Sequence, residues 1–137
     1  MNRIDLAKSL HQEHCSCAQA ILVAYHQELG TDELTAYKIG DGLGAGYGKL
    51  RGLCGAVNAM GMVISAINSG TLQQKGATKE HTMTEVRACA EQFTAEYHSL
   101  LCSELLESNR ETRTCNDLVA GCAQIIENYL AAQKRGI

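Results

Sequence analysis

Four cysteines offer the chemistry that the residue types of this chain allow: Cys17, Cys54, Cys102 and Cys115, out of seven in 137 residues. Ser16-Cys17-Ala18-Gln19 and Thr114-Cys115-Asn116-Asp117 each set a thiol one residue behind a helix-capping side chain. Cys54 closes a glycine-rich segment. A thiol at a helix start meets free backbone N–H groups and the positive end of the helix dipole, which favour the thiolate. The thiolate is the nucleophile and the metal ligand. The chemistry to expect is therefore thiol–disulfide exchange, or ligation of an iron–sulfur cluster or other metal ion. The four are too far apart in sequence for the paired CxxC of a zinc ribbon, and no CxxCH for covalent haem occurs.

The remaining candidates are weaker. Cys89 and Cys122 fall on apolar helix stripes and read as core. His11, His14 and Cys15 have metal-ligand spacing if the first helix extends that far. If one helix runs from Thr82 past Leu101, Cys102 lies off its Val86/Phe93/Tyr97 stripe and beside His98, so it needs a role other than packing. Gly40-Asp41-Gly42-Leu43-Gly44-Ala45 fits only a loosened dinucleotide fingerprint with no strand before it, and the Walker pattern is absent. A backbone nest offering N–H groups to a thiolate, sulfide or anion is the better reading, with Gly44, Gly46, Gly48 and Gly55 as candidate cofactor-binding positions. Neither GxSxG nor HExxH occurs.

The elements that must position these thiols read as helices. Proline is absent and aromatics make up 4 %, which disfavours strands. Asn2 caps a first helix that ends near residues 13–15, and Ser16 with Gln19 caps a second that Gly30 stops. An unbroken helix over residues 3–29 is the rival reading. A short helix opens after Thr31-Asp32. The alternating glycines 40–48 form a loop whose backbone approaches something closely. Residues 53–67 are apolar nearly all round and predict a buried central helix. Residues 70–81 read as linker, Thr82-Met83-Thr84-Glu85 as the capping box of a long helix through Leu101, and residues 107–113 as a polar loop. The last helix carries Leu118, Cys122, Ile125, Ile126 and Tyr129. The expectation is an all-α single domain over residues 1–137, a bundle of five to six helices with a glycine-rich loop before its central helix.

Net charge is −3 without clustered Lys or Arg, which argues against nucleic acid. No apolar run is long enough to span a bilayer. The odd cysteine count and the polar, amphipathic start predict a reduced, cytoplasmic protein. The apolar central helix leaves a homodimer open.

The order Cys17-Ala18-Gln19-Ala20, glycine loop, Cys54-Gly55-Ala56, Cys102, Cys115 resembles a family of bacterial and archaeal redox-active proteins defined by a C-GCAxxG-C-C cysteine pattern. The resemblance covers most of the chain. It implies that Cys17, Cys54, Cys102 and Cys115 are the hallmark cysteines, and a transporter-associated or electron-transfer partner. The pattern's last glycine is replaced by Ala59, which bears on close helix packing there. The combined expectation is a redox protein, a candidate oxidoreductase, whose four thiols converge near the glycine loop. In the exchange version Cys17 or Cys115 attacks and Cys54 or Cys102 resolves. The competing expectations are a non-catalytic metal- or partner-binding module and a structural bundle.

Overall fold

The computed structural model describes residues 1–109 and 114–135. Among these there are nine helical segments and no strand, so the chain is all-α but more finely divided than five to six helices. The first segments are α1 (Arg3–Gln12), α2 (Cys17–Ala24), α3 (His26–Leu29) and α4 (Glu33–Gly40). They are followed by α5 (Gly44–Tyr47), α6 (Gly55–Asn68), α7 (Lys79–Tyr97), α8 (Cys102–Asn109) and α9 (Cys115–Arg135), with a 3-10 turn at Leu72–Gln74.

The caps follow the local sequence. Asn2 Oδ1 accepts the Asp5 N–H at 2.8 Å, and Asp32 Oδ1 accepts that of Thr35 at 2.7 Å. At Ser16 the box is reciprocal: the Gln19 N–H donates to Ser16 Oγ at 3.1 Å and the Ser16 N–H to Gln19 Oε1 at 2.8 Å. Gln19 is almost wholly buried, because its Nε2 also donates to Tyr37 O and to Asp41 Oδ1. One side chain thus caps α2 and ties it to the end of α4.

Of the extra segments, α5 lies within the glycine stretch, whereas α3 and α8 arise where the chain breaks without Pro or Gly. His14 takes a φ of 81°, which ends α1 and removes the unbroken helix over residues 3–29. Tyr25 leaves helical geometry between α2 and α3. Its hydroxyl donates within the core, 3.2 Å from Ala123 O and 3.1 Å from Glu127 Oε2. Gly30, with φ 75°, then closes α3. Thr82 is no cap: α7 begins three residues earlier, and the Thr82 N–H donates to Thr78 O at 2.8 Å as an interior helical bond. The expected linker over residues 70–81 therefore holds the 3-10 turn and the start of α7. The helix through Leu101 is also two helices. His98 turns left-handed at φ 75°, and Leu101 pairs with Leu53 in an isolated antiparallel bridge. Of the polar loop over residues 107–113, residues 107–109 belong to α8 and residues 110–113 lie outside the described residues.

Helices α2 and α6 form the centre. The first packs on α1, α4 and α6, the second on α7 and α9 as well, and α9 lies along α1. Every residue of α2 from Ala18 to Ala24 is buried, more than the single stripe its sequence suggested. Met60, Val63, Ile64, Phe93, Leu105, Val119 and Ile126 complete the core, with Cys89 and Cys122 among them as expected. Ala59, where the family pattern has glycine, is fully buried, so the packing accommodates its methyl group. Among the described residues no helix is long and apolar enough to cross a membrane.

Candidate functional site

Each of the four cysteines stands at a helix start. Cys17 is the first residue of α2 behind Ser16, and Cys54 is the N-cap of α6. Cys102 and Cys115 open α8 and α9. Thr114 caps Cys115's helix as its sequence predicts: its N–H donates to Asp117 Oδ2 at 2.8 Å and its Oγ1 accepts from the Asp117 N–H at 3.3 Å. For Cys102 the sequence reading fails. It is not an off-stripe residue of a long helix but the first residue of a separate one.

The strand-like contact between residues 52–54 and 100–102 positions two of the thiols. The Cys54 N–H donates to Leu100 O at 2.8 Å and the Cys102 N–H to Gly52 O at 2.7 Å, on either side of the Leu53–Leu101 bridge. In an antiparallel pair this sets Cys54 and Cys102 as diagonal neighbours on one face. All seven cysteines are free.

The glycine segment forms the other wall. Ala45, Gly46, Tyr47, Gly48, Lys49 and Arg51 all have positive φ, between 54° and 75°. Residues 45–48 therefore make a left-handed turn, which costs roughly 1–2 kcal/mol at each non-glycine position. Backbone strain of this kind persists where the surroundings impose it, commonly at functional sites. A Cβ on Gly46 would stand 2.7 Å from Cys102 Cβ and 2.6 Å from Arg51 Cα; one on Gly55 would stand 2.5 Å from Cys17 Sγ. The loop and α6 approach the thiols this closely only because these positions are glycine.

All four cysteines line one cavity of about 530 Å³. His11, Asp41, Lys49 and Arg51 are the charged or titratable groups that share its wall, and Leu105, Leu106 and Leu118 supply an apolar side. Gly44, Gly48 and Gly55 also line it; Gly46 does not, packing behind the wall against Cys102. His14 and Cys15 are not on the wall, because α1 ends before them. His11 alone of that group reaches it, with Nδ1 3.1 Å from Asn116 Oδ1.

Electrostatics differ around the ring. Burial pushes the Cys54 thiol up to about 12; accepting from the Val57 and Ala56 N–H groups lowers it only in part, and the nearby Cys17 and Cys102 raise it further. Burial likewise raises Cys115, as do Cys17 and Cys102, against the lowering effect of Arg51. A helix start therefore does not by itself give a thiolate here: desolvation outweighs it. Cys102 is the thiol with a cation on it, Arg51 Nη1 donating to Sγ at 3.6 Å. Fully buried Cys122 lies behind the cavity, its thiol raised by burial and then by Cys54, Cys17 and Cys89.

A single tetrahedral ion holding thiolates at about 2.3 Å needs sulfurs within about 3.8 Å of one another. Among the described residues no group of three or more His, Cys, Asp or Glu side chains is placed to hold a metal ion. Arg51 and Lys49 were not singled out by sequence. Their only signal was a position between the glycines and Cys54.

The profile of the family described as "Putative redox-active protein (C_GCAxxG_C_C)" matches residues 15–129. The chain belongs to this family. In this C_GCAxxG_C_C protein the matched span runs from Cys15 through the glycine loop and all four cavity cysteines into α9. No curated protein and no solved structure matches the chain.

Proposed function

We propose that the four thiols of this cavity work as one redox centre by thiol–disulfide exchange. The observation that supports the reading is their convergence, from four separate helix starts, on one cavity large enough for a substrate. Cys102 attacks, because it is the cavity sulfur that accepts from a guanidinium, Arg51 Nη1. This differs from the roles expected from sequence, in which Cys17 or Cys115 attacks and Cys54 or Cys102 resolves. Cys102 displaces one thiolate from a bound disulfide and forms a mixed disulfide. A second cavity cysteine, Cys54 or Cys17, then attacks Cys102 Sγ and releases the other thiolate. The sum is two protein thiols plus one disulfide giving one protein disulfide plus two thiols.

The second reading is a cluster held by the four thiolates. It is favoured by the placement of the four cysteines on four elements around one cavity and by the backbone N–H groups at those helix starts. Cys17, Cys54, Cys102 and Cys115 would hold it, with Gly44, Gly48 and Gly55 allowing its close approach. A cytoplasmic setting and an electron-transfer or transporter-associated partner belong with either reading, as does a homodimer.

Anaerobic purification with iron, zinc and sulfide analysis, followed by equilibration in a glutathione redox buffer, separates them. The exchange reading expects metal-free protein and a reversible two-electron thiol–disulfide potential. Stoichiometric iron and sulfide with a visible charge-transfer band would replace it with the cluster. Thiols that resist both oxidation and metal would leave a structural bundle.

A further inference from the structure

The chain as a whole is acidic, with 12 Lys and Arg against 15 Asp and Glu. Its cysteine cavity has the opposite sign. Lys49 and Arg51 are on the wall with the titratable His11, against one carboxylate, Asp41. Asp41 is already engaged by Gln19 Nε2 at 2.9 Å. Four helix starts add positive partial charge to the same space. Leu105, Leu106 and Leu118 add aliphatic surface to the same wall. A bare inorganic ion leaves that surface unused, and a neutral or cationic molecule leaves the cations unused.

Resting on the exchange reading above, we propose that the substrate of this cavity is a small organic disulfide bearing carboxylates. One carboxylate pairs with Arg51, whose Nη1 stands 3.6 Å from Cys102 Sγ, and this holds the adjacent S–S bond beside the attacking sulfur. Lys49 meets a second carboxylate at the rim, and the aliphatic part lies on the leucines. Arg51 thus has two tasks, binding the anion and contacting the attacking Cys102 sulfur; Lys49 has only the first. The cavity, about 530 Å³, is within the roughly 300–1,000 Å³ range of small-molecule sites. The reaction oxidises two protein thiols and reduces one substrate disulfide to two thiols, with both thiol protons passing to the products.

The test compares three disulfides on the reduced full-length chain: oxidised glutathione (net negative), bis(2-hydroxyethyl) disulfide (neutral) and cystamine (positive). Each rate of thiol loss is divided by the rate of the same disulfide with a free dithiol. At low salt the normalised rate is expected to favour oxidised glutathione over cystamine by about tenfold or more, and to lose most of that preference at high salt. Lys49→Gln, at an exposed loop position, is expected to cut the preference several-fold. Arg51→Gln slows all three, and Arg51→Lys restores part of the anion preference. Equal normalised rates, or a preference for cystamine, would overturn the substrate class and leave exchange standing. A chain that none of the three oxidises would overturn the exchange reading and this inference together.

Discussion

A sulfur's position relative to charge decides what it can do. Cys102 and Cys54 face the same cavity, yet one touches a guanidinium and the other is held up near 12 by burial. Alkylation of the reduced protein with iodoacetamide at pH 7 is expected to label Cys102 before Cys54, with Cys89 and Cys122 protected until unfolding. Peptide mass mapping reads this order, and first labelling at Cys54 would contradict it. The rate at Cys54 is expected to rise about tenfold per pH unit up to pH 10, since the thiolate fraction grows so far below its pKa. Cys102→Ser is expected to abolish formation of the mixed disulfide, while Cys89→Ser leaves it within about twofold. The protection of Cys89 and Cys122 could be read from sequence, but the order of Cys102 before Cys54 could not. Ser16 and Thr114 announce thiols at helix starts, but the desolvation that opposes the dipole depends on chain segments far away.

At the level of elements, the capping boxes were legible because they are local: Ser16 with Gln19 and Thr114 with Asp117 form as their spacing predicts. The break near His14 was legible as well, because the Ser16 cap restarts a helix there; those at Tyr25 and His98 were not, because neither break carries Gly or Pro. The start of α8 depends on the pairing of Leu53 with Leu101, which local periodicity cannot reveal. The glycine loop was legible as a close approach, and its left-handed turn gives that approach a direction. Gly46→Ala adds a methyl at 2.7 Å from Cys102 Cβ at a φ of 69°. It is expected to destabilise the fold by about 1–3 kcal/mol in denaturant titrations and to slow Cys102 alkylation. Gly30→Ala has a similar φ with no neighbour within 4 Å. It is expected to cost only about 1 kcal/mol and leave Cys102 unaffected. Thr114→Ala should cost about 1 kcal/mol, the usual loss of a cap.

At the scale of the molecule, the all-α class and the buried cysteines followed from composition and periodicity, whereas the cavity is a product of assembly. Burial of thiols also couples stability to pH. Cys54 titrates near 12 and Cys89 near 11 in the fold, but near 8.5 in an unfolded chain. Between these values the native state retains protons that the unfolded state has lost, so stability falls as pH rises. In reductant, unfolding free energy is expected to stay level below about pH 8 and decline above pH 9; a rise above pH 9 would contradict the burial of these groups. The account as a whole depends on Cys17, Cys54, Cys102 and Cys115 sharing one space. Oxidising dilute reduced protein with a small disulfide and mapping the cross-linked peptides tests this most directly. The predicted product is a monomer with a disulfide joining two of those four, with Cys89 and Cys122 free; bonds made only between molecules, or only through Cys15, would contradict it.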